Sequence, residues 1–168
     1  MYYIFLIFIS IAFVTDARSA IIPNRLTVCG TLTGLAFHVY EDGWNGLVFA
    51  LAGAGGALIS LILLYLIGAL GAGDVKLFTA VGAMMGLSFV LKLMLYSILI
   101  AGIIGLILLI MRKRVAVTGQ KLAKWLFSIV ILHDVNSVMG MKHQTNMKFP
   151  FMYAVVPGAA LTWYYSFL

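Results

Sequence analysis

The 168-residue chain is 64% hydrophobic and only 10% charged, whereas soluble globular domains are near half apolar and a quarter charged. Eleven Lys/Arg against five Asp/Glu give a formal charge of +6, but no basic face carries interleaved aromatics, so no nucleic-acid partner is expected. The single cysteine, Cys29, excludes an internal disulfide and a cysteine-based zinc cluster.

The apolar residues come in long runs, so lipid is the natural solvent. The first run is Met1 to Thr15, closed by Asp16. The small residues Ala17 to Ala20 could serve signal-peptide cleavage, but no Lys or Arg precedes the run, as a signal peptide's n-region requires. The second run, Leu26 to Tyr40, is diluted by Thr27, Thr31 and Thr33 and includes Cys29, expected to pack in the core. Glu41 and Asp42, beside Gly43 and Asn45, read as turn residues. The third run, Gly46 to Leu70, is uncharged and long enough to cross a bilayer with tilt. The fourth is Val75 to Leu91, with Lys76 at its mouth, and the fifth is Leu93 to Met111, with Lys92 in the loop between them. Gly53, Gly55 and Gly56 in the third run, and the GxxxG pair Gly82 and Gly86 in the fourth, suit close helix packing in lipid.

Residues 115–132 carry Lys121, Lys124 and Trp125 and suit either a helix lying at the membrane surface or a re-entrant segment. Residues 133–148 are polar and read as a loop. The last run, Phe151 to Leu168, is interrupted by Pro157. The expected architecture is all-α: a polytopic membrane helix bundle of about six transmembrane helices plus a possible interfacial helix at 115–132, in one domain over 1–168.

Charge sets the orientation. Arg18, Arg25, Lys76, Arg112, Lys113, Arg114, Lys121, Lys124, Lys142 and Lys148 fall in the odd-numbered loops, and Lys92 alone in the even ones. By the positive-inside rule the odd loops are cytoplasmic, and both termini lie outside the cytoplasmic membrane. Asp16 then ends the first span and Asp74 begins the fourth on the same, cytoplasmic face. Charged groups at a span's edge are costly and point to function. Each could also be local: Asp16 could pair with Arg18 or Arg25, and Asp74 could pair with Lys76 or cap its helix. Two facing carboxylates in a poor dielectric share a proton. The ionised member can then take a proton from water while the other donates to a carbonyl under attack. The same pair could relay protons or bind a cation in a transporter. His38, His133 and His143 show no mutual metal-ligand spacing and are expected to be non-catalytic; no metal or cofactor is expected.

The flanking residues narrow the choice. Asp16 is followed by Ile22-Pro23-Asn24, and the second site reads Gly71-Ala72-Gly73-Asp74-Val75-Lys76-Leu77. These motifs, with the Pro-containing stretch Phe149 to Leu161, resemble the type IV prepilin peptidase family, intramembrane aspartic proteases of the GxGD type. The resemblance implies Asp16 and Asp74 as the catalytic dyad, with Gly71 and Gly73 allowing close backbone approach. It further implies a prepilin or pseudopilin substrate, cleaved at the cytoplasmic membrane face within membrane lipid. Pro23 and Asn24 carry the motif, and Lys76 and Arg18 are candidate substrate, lipid or electrostatic residues. Bifunctional members have a cytoplasmic region with paired cysteines tied to N-methylation. This chain is similar instead to the short Tad/Flp-type form, so no methyltransferase activity is expected. An archaeal preflagellin-type peptidase, or a non-enzymatic transporter or pilus assembly component, are the alternative readings.

Overall fold

The structure, a computed structural model, describes residues 1–19, 21–66, 70–111 and 151–166. The segment 115–132, expected at the membrane surface, and the loop 133–148 lie outside these residues. Among the described residues all regular structure is helical: α1 (Tyr2–Ser19), α2 (Asn24–Leu66), α3 (Ala72–Met85), α4 (Leu87–Met111) and α5 (Met152–Ser166). The chain divides into two compact units, Met1–Ala101 with Phe149–Leu168, and Gly102–Lys148. All packing described below belongs to the first.

Three of these helices, α1, α2 and α4, are long and apolar enough to cross a membrane. Their outward faces fit a membrane protein: Tyr3, Ile7, Leu32, Ile59, Leu63 and Ile103 are all exposed, more apolar surface than a water-soluble monomer usually leaves open. Helices that are apolar all round have no hydrophobic stripe to steer them, so close packing between backbones must select their partners.

The 43-residue α2 is two helices joined across a kink at Gly43, whose φ of 57° lies in the left-handed region that favours glycine. The chain turns back on itself there. Gly46 sits against the carbonyl of His38. Gly34 in the first arm packs on Ala83, and Gly53 in the second packs on Gly82, so both arms converge on one turn of α3. Gly53 and Gly82 meet backbone to backbone, with no room for a Cβ on either. The acids Glu41 and Asp42, expected in a turn, close the first arm of the helix just before the kink.

Helix α3 is the centre of the core. Val75, Leu77, Phe78 and Ala80 to Met84 are buried, against α2 along most of its length. Helix α1 lies antiparallel to α5: Tyr2 approaches Trp163 at 5.8 Å between ring centroids, and Phe13 approaches Tyr153 at 5.4 Å. Phe5, fully buried, meets Phe89 of α4 edge to face at 5.2 Å. Pro157 stands inside α5 without ending it.

The boundary between the fourth and fifth runs needs correcting. The helix breaks at Gly86, not at Lys92. Gly86 has φ 82°, conformationally cheap only for glycine, and its N–H bonds back to the Gly82 carbonyl at 2.9 Å. Lys92 is an exposed residue within α4. Gly86 thus ends α3 and also packs closely, as expected: a Cβ there would clash with the Phe49 ring and its backbone lies against Gly53, whereas Gly55 faces open space with nothing within 4 Å. At 14 residues α3 is about 21 Å long, short of the ~30 Å hydrocarbon core. Cys29, expected in the core, is exposed on α2.

Candidate active site

Asp16 lies in the penultimate turn of α1, and the buried stripe of that helix, Phe5, Phe8, Ile9 and Ala12, continues directly into it. The stripe repeats at three and four residues, so Asp16 is carried inward by the same face that packs the helix. Only 6% of its surface is exposed. Its Oδ2 accepts a hydrogen bond from the backbone N–H of Met152 at 3.1 Å. Met152 opens α5 and is fully buried, so the carboxylate faces the positive end of that helix, where an anion is favoured.

Asp74 occupies the first turn of α3, one residue before the apolar run that begins at Val75. Its Oδ2 accepts the N–H of Gly71, the N-cap, at 3.1 Å. This side chain therefore caps its own helix. Asp74 is half-buried. Ile22, in the connection that follows α1, packs over Gly73, and α1 itself touches α3, so the helix ends that carry the two carboxylates lie together. Among the described residues, both bind backbone amides rather than the nearby arginines or Lys76.

The motif residues assemble around this pair. Gly71 is exposed at the cap with an extended backbone, φ −80° and ψ 153°. Gly73 faces Ile22, whose Cβ would stand 3.5 Å from a Cβ on the glycine, an ordinary contact. Ile22 itself is buried. Pro23 precedes α2 and its carbonyl accepts the N–H groups of Leu26 and Thr27 at 3.0 and 3.4 Å. Asn24, the first residue of α2, accepts a hydrogen bond at Oδ1 from Lys76 Nζ at 2.8 Å. Arg18 is the exception: it is exposed in the last turn of α1, a favourable place for a cation, with no contact to the pair.

Sequence reasoning missed one participant. The Met152 N–H on Asp16 is a backbone donor, and every residue but proline carries one, so no residue type announces it. His38 was read as non-catalytic, and it lies with Met84, at the far end of α3 from Asp74, its Nε2 2.9 Å from that carbonyl. A ring between Phe37 and Phe49 holding an unsatisfied helix-end carbonyl is a structural histidine.

A cavity of about 570 Å³ opens between α1 and α5, lined by residues such as Ile9, Phe13, Val156 and Trp163. It contains neither aspartate. Among the described residues no three His, Cys, Asp or Glu side chains converge to hold a metal.

The arrangement is two carboxylates with unequal surroundings, at the ends of helices from opposite parts of the sequence. A family model for the type IV leader peptidase family matches residues 3–110, a stretch that contains both. No curated protein and no solved structure gives a match.

Proposed function

The chain belongs to the type IV leader peptidase family, and from that premise we propose that it is a membrane-embedded aspartic endopeptidase cleaving the leader of Tad/Flp-type prepilins. The observation that carries the reading is the meeting of the head of α3, which bears Asp74, with the connection that follows Asp16, Ile22 lying over Gly73, inside the matched stretch. In this reading the chain crosses the cytoplasmic membrane six times, its active site lies at the cytoplasmic face and both termini lie outside.

The chemistry follows from the unequal environments. Asp16, held by the α5 amide, is the carboxylate that takes a proton from the attacking water. Asp74, half-buried beside the exposed Gly71, carries the proton and donates it to the scissile carbonyl oxygen. Water oxygen bonds to the carbonyl carbon, giving a neutral tetrahedral diol. Collapse breaks the C–N bond as the proton gained by Asp16 passes to the leaving nitrogen and a diol hydroxyl returns its proton to Asp74. The dyad ends as it began, without a covalent intermediate, cofactor or methyl donor.

The test is mass analysis of a co-expressed prepilin. Wild type should release the mature pilin with an unmethylated N terminus. Asp16→Asn and Asp74→Asn should each abolish release while inserting into the membrane at wild-type levels. Normal processing by either variant refutes the dyad. Proton or cation flux that depends on both aspartates, with no cleavage, would assign the pair to transport.

A further inference from the structure

Lys76 is the charged side chain of the second motif that this catalytic scheme leaves idle. It is exposed, and it turns away from Asp74 to bond Asn24 Oδ1 at 2.8 Å. Two residues along an α-helix is a turn of about 200°, so a partner on Asp74's face was never within reach. Asn24 follows Pro23, whose ring fixes φ and whose carbonyl anchors the first turn of α2 through Leu26 and Thr27. Two residues earlier, Ile22 is buried and packs over Gly73. The short connection from α1 to α2 therefore touches the head of α3 twice. One contact is apolar, on the residue before Asp74, and one is charge-assisted, on the second residue after it.

We propose that Lys76 and Asn24 form a clasp that positions the two aspartates, with Lys76 a positioning residue that contacts no substrate. The connection begins a few residues beyond Asp16, and α3 carries Asp74. Holding the connection on the head of α3 fixes the end of α1 against the start of α3. Ile22 lies over Gly73 at a distance where even a Cβ would make only ordinary contact, so this apolar contact alone does not lock the two segments. The Lys76–Asn24 bond sets the sliding register, which an apolar contact leaves loose. The proposal deepens the peptidase reading and rests on it for its catalytic consequence.

The experiment is a double-mutant cycle on full-length protein in detergent, using Lys76→Ala, Asn24→Ala and both together, with Lys76→Arg as rescue. Cleavage of a purified prepilin and the thermal midpoint are read for each. Each single variant should lower kcat by about tenfold, the scale of one lost hydrogen bond to a charged group, with KM nearly unchanged. The double variant should fall no further than the worse single, in kcat and in midpoint. Lys76→Arg, which still offers a donor to Oδ1, should keep kcat within about threefold of wild type. Additive losses overturn the clasp. So does a raised KM in Lys76→Ala with Asn24→Ala silent, which would make the lysine a reader of substrate. A wild type that cleaves no prepilin refutes the peptidase reading instead, and the clasp then stands or falls on coupling in the thermal midpoint.

Discussion

Replacing Gly82 by alanine should separate α3 from α2 and disable the site two turns away. A Cβ at Gly82 would lie 2.6 Å from the carbonyl carbon of Gly53, against an ordinary contact of 3.4–4 Å. The helices must part by about 1 Å, because both contacting surfaces are backbone with no rotamer to yield. Overpacking of this kind costs about 1–3 kcal/mol, and alanine returns up to about 1 kcal/mol in helix propensity. A net loss of about 1 kcal/mol lowers the thermal midpoint by about 2–4 °C for a chain of this size. Asp74 sits about 12 Å up the same helix, and a misplacement of about 1 Å can cost 10²-fold in rate. Prepilin cleavage should therefore fall more than tenfold even below the midpoint. The matched control is Gly55→Ala, where nothing lies within 4 Å; its midpoint should hold or rise by about 1–3 °C. Unfolding followed in detergent by intrinsic fluorescence, together with cleavage at 25 °C, reads both effects. A Gly82→Ala midpoint at or above wild type, or a Gly55→Ala loss of equal size, refutes packing at this contact as the organising force.

Two further outcomes follow from the polar groups. A dyad that needs one protonated and one ionised carboxyl should give a bell-shaped profile of kcat/KM against pH; a profile flat from about pH 4 to about pH 9 would contradict the shared proton. Ser97 is fully buried with its hydroxyl unpartnered among the described residues, against Gly158 of α5; Ser97→Ala should raise the midpoint by a few degrees, the return of about 1 kcal/mol of unrecovered desolvation. A lower midpoint would mean the hydroxyl has a partner that matters.

The placement of Asp16 near the end of one helix and Asp74 in the first turn of another was legible because it needed only the points where charge interrupts the apolar runs. The identity of the buried faces was not. Where a run is apolar on every side, periodicity vanishes, and nothing in the sequence distinguishes an exposed Cys29 or a half-buried Gly55 facing open space from a buried Gly53. The helix break was misread for a related reason. Gly86 satisfies a GxxxG pattern and a C-terminal stop equally well, and only its backbone angle reveals the stop, whereas Lys92 drew attention as the visible charge. The Lys76–Asn24 bond spans 52 positions and became visible only once α2 and α3 were laid together. The kink at Gly43 fared better, since Asp-Gly beside apolar runs is a breaker wherever it falls.

The hydrogen bond from Met152 to Asp16 joins residues 136 positions apart. At ribosomal speeds of about 5–20 residues per second, the donor emerges roughly 7–27 s after the acceptor. For the later part of that interval, once Asp74 has followed, the nascent chain carries both aspartates yet lacks the amide that orients the first of them. In the peptidase reading, competence is thus withheld until the final helix is delivered, and a truncated translation product would be harmless to its neighbours.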